Sequence, residues 1–313
     1  MDLSNTEFEL LQLIVRSNGI DESKIIEQIP TLDPSEISKA ILSLIRKRLV
    51  RRTQDQIVAK PQALEALEPY RVKRAVILGA GKGERMRPAT KDIPKPMVKV
   101  HSKRIIETQL DALANAGITD ITIVRGYQGE VYDLLLPKYP HIKFIDNPHW
   151  DTSEAIVSTH LAIDLLARAY LIEGDLYIKG QNVIRPYEYH SSYCGIPGEV
   201  ENDWHFYADR SIGITHLAHG YSNESHGAPH RFVGIMYWAP AEVNKLKKDI
   251  VDVVARPNNQ HRFVESVPFD KQTSECTIHA RPLQINDVIE IDTHQELCDL
   301  RRLEKESSIR KYS

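Results

Sequence analysis

Three glycines within five positions, at the end of an apolar run of β-forming type, constrain this chain more than any other feature. The run reads Val76-Ile77-Leu78-Gly79-Ala80-Gly81-Lys82-Gly83-Glu84-Arg85-Met86-Arg87-Pro88-Ala89-Thr90, and Pro94-Lys95-Pro96-Met97 follows closely. Such a turn lets backbone N–H groups approach a polyphosphate, because glycine removes both the Cβ and the restriction on φ. Two cations follow. Arg85 has a guanidinium fork suited to leaving phosphates, and Lys95, between two prolines, offers a point charge for the phosphoryl group under attack. Leu78, Gly79, Ala80, Gly81, Lys82 and Gly83 are therefore candidate nucleotide-binding residues, with Arg85 and Lys95 as the candidate catalytic pair.

A glycine turn closing any strand–helix unit would use similar residues, so the flanking positions decide. Lys82 lacks the GxxxxG spacing before it and a Ser or Thr after it, which excludes a Walker loop. The dinucleotide fingerprint fails as well, because Arg85 and Met86 stand around the third-glycine position and no acidic ribose partner follows the second strand. What remains is GxGxxRMxPxTxxxPKPM.

Composition sets few limits. With 313 residues, 42% of them hydrophobic, the chain can bury a full core and hold two domains. A net charge of −3 argues against a protein that coats nucleic acid throughout. Cys194, Cys276 and Cys298 are odd in number and contain no CxxC pair, so neither a disulfide framework nor a zinc site is indicated. The N-terminus has no basic and apolar leader and no run of 18 apolar residues occurs, so a cytoplasmic protein without membrane association is the expectation.

The chain divides near Pro69-Tyr70. Phe8, Leu10, Leu11, Leu13 and Ile14 recur at helical spacing, with Thr6 and Glu9 as an expected capping box and Asn18-Gly19 as a stop. Asp21 opens a short second helix, and Asp33-Pro34-Ser35-Glu36 a third running through Ile45. Leu49–Arg52 and Gln56–Ala59 read as a hairpin. Three helices and a hairpin over residues 1–70 resemble a winged-helix domain. The basic cluster Arg46, Lys47, Arg48, Arg51 and Arg52 raises DNA binding, yet the segment holds nine Lys and Arg against eleven Asp and Glu. Nucleic-acid binders show a basic footprint over the whole domain, so a docking or regulatory module is preferred to DNA binding.

From residue 71 to 313, strands alternate with helices as a parallel α/β sheet requires. Helices are expected through Ile105–Leu113, Val131–Leu136 and Ile156–Ala169, and strands at Ile121–Val124, Lys143–Ile145 and Tyr170–Ile172. Ligands on doubly wound sheets bind at the carboxyl ends of strands. Gly126 falls at one such end. Leu171-Ile172-Glu173-Gly174-Asp175-Leu176 brings a carboxylate to the same edge, where Asp175 is a candidate ligand for the Mg²⁺ that a triphosphate requires. Val288-Ile289-Glu290-Ile291-Asp292-Thr293 offers a second acidic pair, with Glu290 and Asp292 on one face of a strand.

The pattern around the glycine loop resembles the nucleotidyltransferase family that activates sugar phosphates and phosphocholine, over roughly Arg74 to Leu300. The resemblance implies a Rossmann-like, doubly wound, mostly parallel α/β sheet. The glycine loop, Arg85 and Lys95 match the family's triphosphate segment. Asp175 matches the first metal aspartate, and Asp292 looks like the second, with Glu290 as an additional ligand. Phe232–Trp238 is similar to the Gly-Ile-Ser-Tyr-Trp strand of the phosphocholine branch. One departure is Glu154-Ala155, where that branch shows Asn-Asn or Asn-Ser; Glu154 would balance a substrate ammonium or serve as an early helix acid.

The resemblance implies a Mg²⁺-dependent cytidylyltransferase that moves CMP from CTP to a small phosphoalcohol or phosphonate, phosphocholine first and 2-aminoethylphosphonate next. Trp150, Tyr237 and Trp238, with Trp204, are the aromatic candidates for holding a quaternary ammonium. His216, His219, His226 and His230 match no metal template and read as surface or gating residues. Rival readings are a sugar-1-phosphate or inositol-1-phosphate nucleotidyltransferase, and a DNA-binding regulator with a nucleotide-sensing domain. A homodimer is allowed for, although the sequence is silent on oligomeric state.

Overall fold

The computed structural model describes residues 2–29, 32–54, 56–223, 226–256, 259–270 and 276–310. They form two units: Met1–Arg71 with Tyr187–Tyr189, and Val72–Pro186 with His190–Ser313.

In the first unit, α1 (Asn5–Ser17) starts two residues earlier than the sequence suggested. Ser4, not Thr6, is the cap: its hydroxyl accepts from Glu7 N, and the Glu7 carboxylate accepts from Ser4 N. Ser4 has the extended backbone a cap requires, which places Thr6 already inside the first turn. Asn18 in the left-handed region ends the helix. Asp21 precedes α2 (Glu22–Gln28) without a side-chain cap bond, whereas Asp33 and Glu36 form a reciprocal capping box on α3 (Pro34–Arg46). β1 (Val50–Arg52) and β2 (Ile57–Ala59) pair antiparallel, and Ile20 bridges to Ile57. A further helix, α4 (Gln62–Leu67), was not expected. It buries Ala63 and Leu67 against a core of Phe8, Leu11, Ile14, Ile37, Ile41 and Leu44, to which Tyr187 is added. Lys47 pairs with Glu7 and Arg52 with Glu22, so two cations of the basic cluster are neutralised within the unit.

The second unit is built on a sheet of nine strands among the described residues. β3 (Arg74–Gly79) is its centre. Two short strands, β4 (Lys99–Val100) and β5 (Lys103–Arg104), and α5 (Ile105–Asn115) lead to β6 (Asp120–Arg125), then β7 (Lys143–Asp146), α6 (Ala155–Leu161) and β8 (Ala169–Glu173). Strands β8, β3, β6 and β7 lie side by side in that order, all parallel. The chain therefore moves outward from β3 on one side and returns on the other. The crevice between β3 and β8 is the switch point at which such sheets bind ligands. Two expected helices differ from the expectation: the one read at Val131–Leu136 is a 3-10 helix over Gly129–Leu135, and α6 stops at Leu161 before a 3-10 turn at Ile163–Leu165.

β9 (Leu176–Ile178) follows at once. The remaining strands are β10 (Ser192–Pro197), β11 (Asp203–Asp209), β12 (Gly213–Gly220) and β13 (Pro229–Trp238); α7 (Pro240–Val254), β14 (His279–Pro282), β15 (Val288–Glu290) and α8 (His294–Arg310) complete the chain. β13 adds antiparallel to β8, and β10, β11 and β12 extend the sheet antiparallel, with β14 parallel to β10. Alternation along the strands sends Ile77, Ile123, Ile172 and Tyr237 into one apolar layer and Val76, Val124, Leu171 and Trp238 into the other. A smaller cluster of Met86, Val98, Ile105, Ile291, Leu297 and Leu300 ties the glycine-loop segment to the start of α8. Among the described residues, no helix is long and apolar enough to cross a membrane.

Candidate active site

The parallel register sets Leu78 beside Glu173, so the glycine loop and the Glu-Gly-Asp turn leave the sheet from neighbouring strands at one edge. Both turns are built around glycine. A Cβ at Gly174 would stand 2.7 Å from Leu78 O and from Pro96 Cγ, so only glycine lets that turn close against β3. Gly83 has φ +62°, while the Cβ position of Gly81 is open, leaving its backbone accessible to a ligand. From below, the Tyr132 hydroxyl donates to Gly79 O at 2.8 Å, and Gln109 donates through Nε2 to Glu173 O and Leu176 O, both at 2.9 Å. Gln109 thereby brackets the Glu-Gly-Asp turn.

The antiparallel pair β9–β15 brings the C-terminal acids to this turn. Leu176 pairs with Glu290, and Ile291 N donates to Asp175 O at 3.2 Å. Asp175, Glu290 and Asp292 each place a carboxylate oxygen within 4.8 Å of the others. Lys95, 12% exposed, lies among them: its Nζ donates to Asp175 Oδ2 at 2.7 Å and to Asp292 Oδ1 at 2.6 Å. Burial, the largest influence on Lys95, works against its charge, but Asp175 and Asp292 outweigh it and the net pKa is raised. Arg85, 70% exposed, reaches Asp292 Oδ1 at 2.9 Å. Met86 and Ile291, both fully buried, anchor the backbone next to Arg85 and Asp292. The sequence thus singled out five residues that the fold brings together.

A divalent cation fits this donor set. Three carboxylates converge, and Asp175 Oδ1 is buried with no hydrogen-bond partner, a lone acceptor of the kind a hard cation takes up. Asp175 and Asp292, with Glu290, would hold it.

Beside this centre the sequence reading gave no role to two carboxylates, Glu173 and Glu265. Burial, reinforced by Asp175, Glu265 and Glu290, pushes the Glu173 carboxyl well above its ordinary range. Burial likewise raises Glu265 to about 7 and, with Asp175, Asp292 and Asp203 adding to it, Glu290 to about 8. Arg231 stands 3.7 Å from Glu290 and 3.9 Å from Asp203. Glu173 is accommodated by Gly234 on β13, where a Cβ would lie 2.5 Å from Glu173 Cδ and 2.7 Å from Cγ. A glycine facing a carboxylate across neighbouring strands is a signal visible only once the pairing is known. Glu265, in the irregular segment Val264–Phe269, carried no periodic signal at all.

Other expected residues sit as follows. Lys82 pairs with Glu84 at 2.8 Å. Trp150 covers Gly126, whose Cβ position is filled by the indole side chain, and its ring meets Tyr127 at 5.4 Å. The Tyr127 hydroxyl donates to Lys91 O, linking this edge to the segment that carries Lys95. Glu154 is exposed at the N-cap of α6 and makes no cap bond. Tyr237 and Trp238 require correction. They are 2% and 0% exposed, in opposite core layers, and pair with Tyr170 and Ala169 at the far end of β8 from Glu173. Alternation and the antiparallel direction of β13 carry them away from the site. The histidines pack as ring partners, His216 on His226 at 4.6 Å and His230 on Phe206 at 5.3 Å.

Comparison with known proteins agrees with this geometry. Residues 74–179 match the family model described as Nucleotidyl transferase. A 2-aminoethylphosphonate cytidylyltransferase of Lancefieldella rimae is 29% identical over 228 residues, covering 72% of this chain and 90% of that protein. A choline-phosphate cytidylyltransferase of Streptococcus pneumoniae is 28% identical over 233 residues, covering 74% and 97%. The solved structure of a CTP:phosphocholine cytidylyltransferase from Streptococcus pneumoniae superimposes with a TM-score of 0.68 at 27% identity, over 74% of this chain and 99% of that one. Residues 74–179 thus carry the nucleotidyl transferase family's pattern, and the chain is a nucleotidyltransferase with cytidylyltransferases among its relatives.

Proposed function

We propose that the protein is a Mg²⁺-dependent cytidylyltransferase that transfers CMP from CTP to a small amino-alcohol phosphate or aminophosphonate and releases pyrophosphate. The observation that carries this reading is the convergence of Lys95, Arg85, Asp175 and Asp292, with Glu290, at the β3–β8 crevice. The names of the relatives, phosphocholine and 2-aminoethylphosphonate cytidylyltransferases, support the same acceptor class.

In this reading a phosphate or phosphonate oxygen of the acceptor attacks the α-phosphorus of CTP in line, and pyrophosphate leaves with the electron pair of the broken P–O bond. No covalent enzyme intermediate forms. Barriers to such transfers fall mainly through alignment and charge stabilisation. Gly81 leaves its backbone open to the triphosphate, Lys95 addresses the α-phosphate and the attacking oxygen, and Arg85 addresses the departing phosphates. Asp175 and Asp292, with Glu290, hold the metal. When bound, Mg²⁺ neutralises phosphate charge and fixes the phosphate oxygens relative to the acceptor. Residues 1–70 are assigned to a winged-helix module for docking or regulation.

The test is pyrophosphate release with Mg²⁺, scanning CTP, UTP, ATP, GTP and dTTP against phosphocholine, 2-aminoethylphosphonate, inositol-1-phosphate and glucose-1-phosphate, with Asp175→Ala as control. Turnover confined to CTP and an amino acceptor, lost in the control, is expected. Turnover with sugar phosphates alone overturns the acceptor class, and silence throughout overturns the enzyme reading.

A further inference from the structure

The reading above gives the acceptor's attacking oxygen to Lys95 but leaves its other phosphoryl oxygens without a partner, and the following inference rests on that reading. We propose that Arg231 anchors the acceptor's phosphoryl end: its guanidinium grips the non-attacking oxygens of the incoming phosphate or phosphonate and so aims the remaining one at the α-phosphorus.

Arg231 stands on β13 where that strand runs past the end of β8. Ile235 pairs with Ile172, and Gly234 lies against Glu173, the last residue of β8, where a Cβ would come within 2.5 Å of Glu173 Cδ. Glycine at 234 thus keeps β13 in register beside the Glu-Gly-Asp turn. Three residues earlier on this antiparallel strand, Arg231 falls beyond the carboxyl end of β8, at the sheet edge that carries the site. Its backbone is paired on both sides, with Ile196 of β10 and His205 of β11, so its Cα is fixed. From there the side chain, 31% exposed and therefore within reach of a ligand, comes to 3.7 Å from Glu290 Oε2 and 3.9 Å from Asp203 Oδ2. Both distances are too long for hydrogen bonds, and among the described residues the guanidinium has no hydrogen-bonded acceptor.

The cations divide between the carboxylates of the triad. Lys95 pairs with Asp175 and Asp292, and Arg85 with Asp292. Among the described residues, Arg231 is the one cation that pairs with Glu290. The three carboxylates lie within 4.8 Å of one another, so Arg85 and Arg231 stand against different ligands of a single metal position. In-line displacement sets the entering and departing oxygens on opposite faces of the phosphorus, and both ends carry negative charge. With Arg85 on the departing phosphates, the cation at Glu290 falls to the entering group. Arginine suits that end, because its planar fork offers five N–H donors and takes two oxygens of one phosphoryl group at once, leaving the third free to attack. Asp203, whose own Oδ1 accepts from Trp204 N at 2.7 Å, keeps the guanidinium near the triad without using up its donors.

The experiment compares the wild-type full chain with Arg231→Gln and Arg231→Lys. Calorimetry reads acceptor binding with Mg²⁺ and α,β-methylene-CTP, from which no transfer occurs, and pyrophosphate release reads turnover with CTP. The acceptors are 2-aminoethylphosphonate, phosphocholine and ethylphosphonate. Arg231→Gln should weaken binding and raise KM about tenfold to a hundredfold for each acceptor that the wild type uses, by a similar factor whatever the other end of the molecule carries. KM for CTP and the Mg²⁺ concentration giving half-maximal rate should stay within about twofold. Arg231→Lys keeps the charge without the fork and should recover only part of the loss, and it carries the test if Arg231→Gln fails to fold. Unchanged acceptor binding in both variants, or a loss that appears in the CTP or Mg²⁺ requirement instead, overturns the anchor while leaving the cytidylyltransferase reading intact. A wild-type chain that turns over none of these acceptors overturns the reading on which the anchor rests.

Discussion

Replacing Lys95 with alanine separates two roles that one side chain performs. In the ligand-free protein, Lys95 is the internal counter-ion of Asp175 and Asp292, at 2.7 and 2.6 Å. Deleting one partner of a buried pair costs about 3–5 kcal/mol, because the remaining charge is left uncompensated. Asp175 and Asp292 retain 21% and 26% of their side-chain exposure, and Arg85 stays on Asp292, so the lower end, about 3 kcal/mol, applies here. For a unit of this size that corresponds to a fall in Tm of roughly 6–12 °C. Millimolar Mg²⁺ should recover most of the difference, since a divalent ion restores positive charge between the same carboxylates. Activity should not recover, and kcat should stay about 100-fold down, because the cation that meets the transferring phosphate is gone. Thermal melts with and without Mg²⁺, alongside pyrophosphate release, measure both. Equal destabilisation in either buffer, together with a kcat within tenfold of wild type, would refute the dual role.

Three further outcomes follow from the surrounding shell. Gly234→Ala forces Glu173 to move and should cost about 1–3 kcal/mol by overpacking, raising KM for the acceptor but not for CTP, as steady-state kinetics will read. Gln109→Ala leaves Glu173 O and Leu176 O without their donor and should lower stability by about 2–4 kcal/mol, as measured by denaturant unfolding, while weakening Mg²⁺ binding. Glu265, raised to about 7 from 4.5, binds its proton more tightly in the folded state than in the unfolded one, so stability is greatest below about pH 4.5 for this group and falls as pH rises to about 7. The whole window amounts to roughly 3 kcal/mol, and Glu265→Gln should flatten that slope in melts between pH 5 and 8.

Much of the parallel half was legible in the sequence for local reasons. Arg74–Gly79 is an apolar strand ended by glycines, Asp33 and Glu36 announce a helix start, and Asp175 and Asp292 each follow a short apolar strand. Those signals lie within a few residues of the feature they specify. The antiparallel half was not legible in the same way. β13 looks like a strand from sequence, but only its pairing with β8 reveals that Tyr237 and Trp238 point into the two cores while Gly234 makes room for Glu173. Aromatic residues after an apolar run read equally well as ligand-holding faces or as core, and burial alone decides. Glu265 helps raise the Glu173 pKa from about ninety residues away in sequence, through a segment with no helical or strand period, so no local pattern could have joined them. In the first unit the capping box slipped because Ser4-x-x-Glu7 and Thr6-x-x-Glu9 both satisfy the motif, and the preceding backbone chose between them.

Tyr187–Tyr189 belong to the first unit although more than a hundred residues separate them from the rest of it. Tyr189 stacks on Tyr70 with centroids 5.0 Å apart, its hydroxyl donates to Leu3 O at 2.7 Å, and Tyr187 takes its place in the apolar cluster around Phe8. During synthesis the N-terminal module thus emerges first but finishes late: its last side chains leave the ribosome only after the glycine loop, Lys95 and Asp175 have been made. A gene fragment ending at residue 71 would encode every helix of that module and still omit part of its interior. The two halves are separable on a map of the sequence, but no single cut in the chain separates them as folded matter.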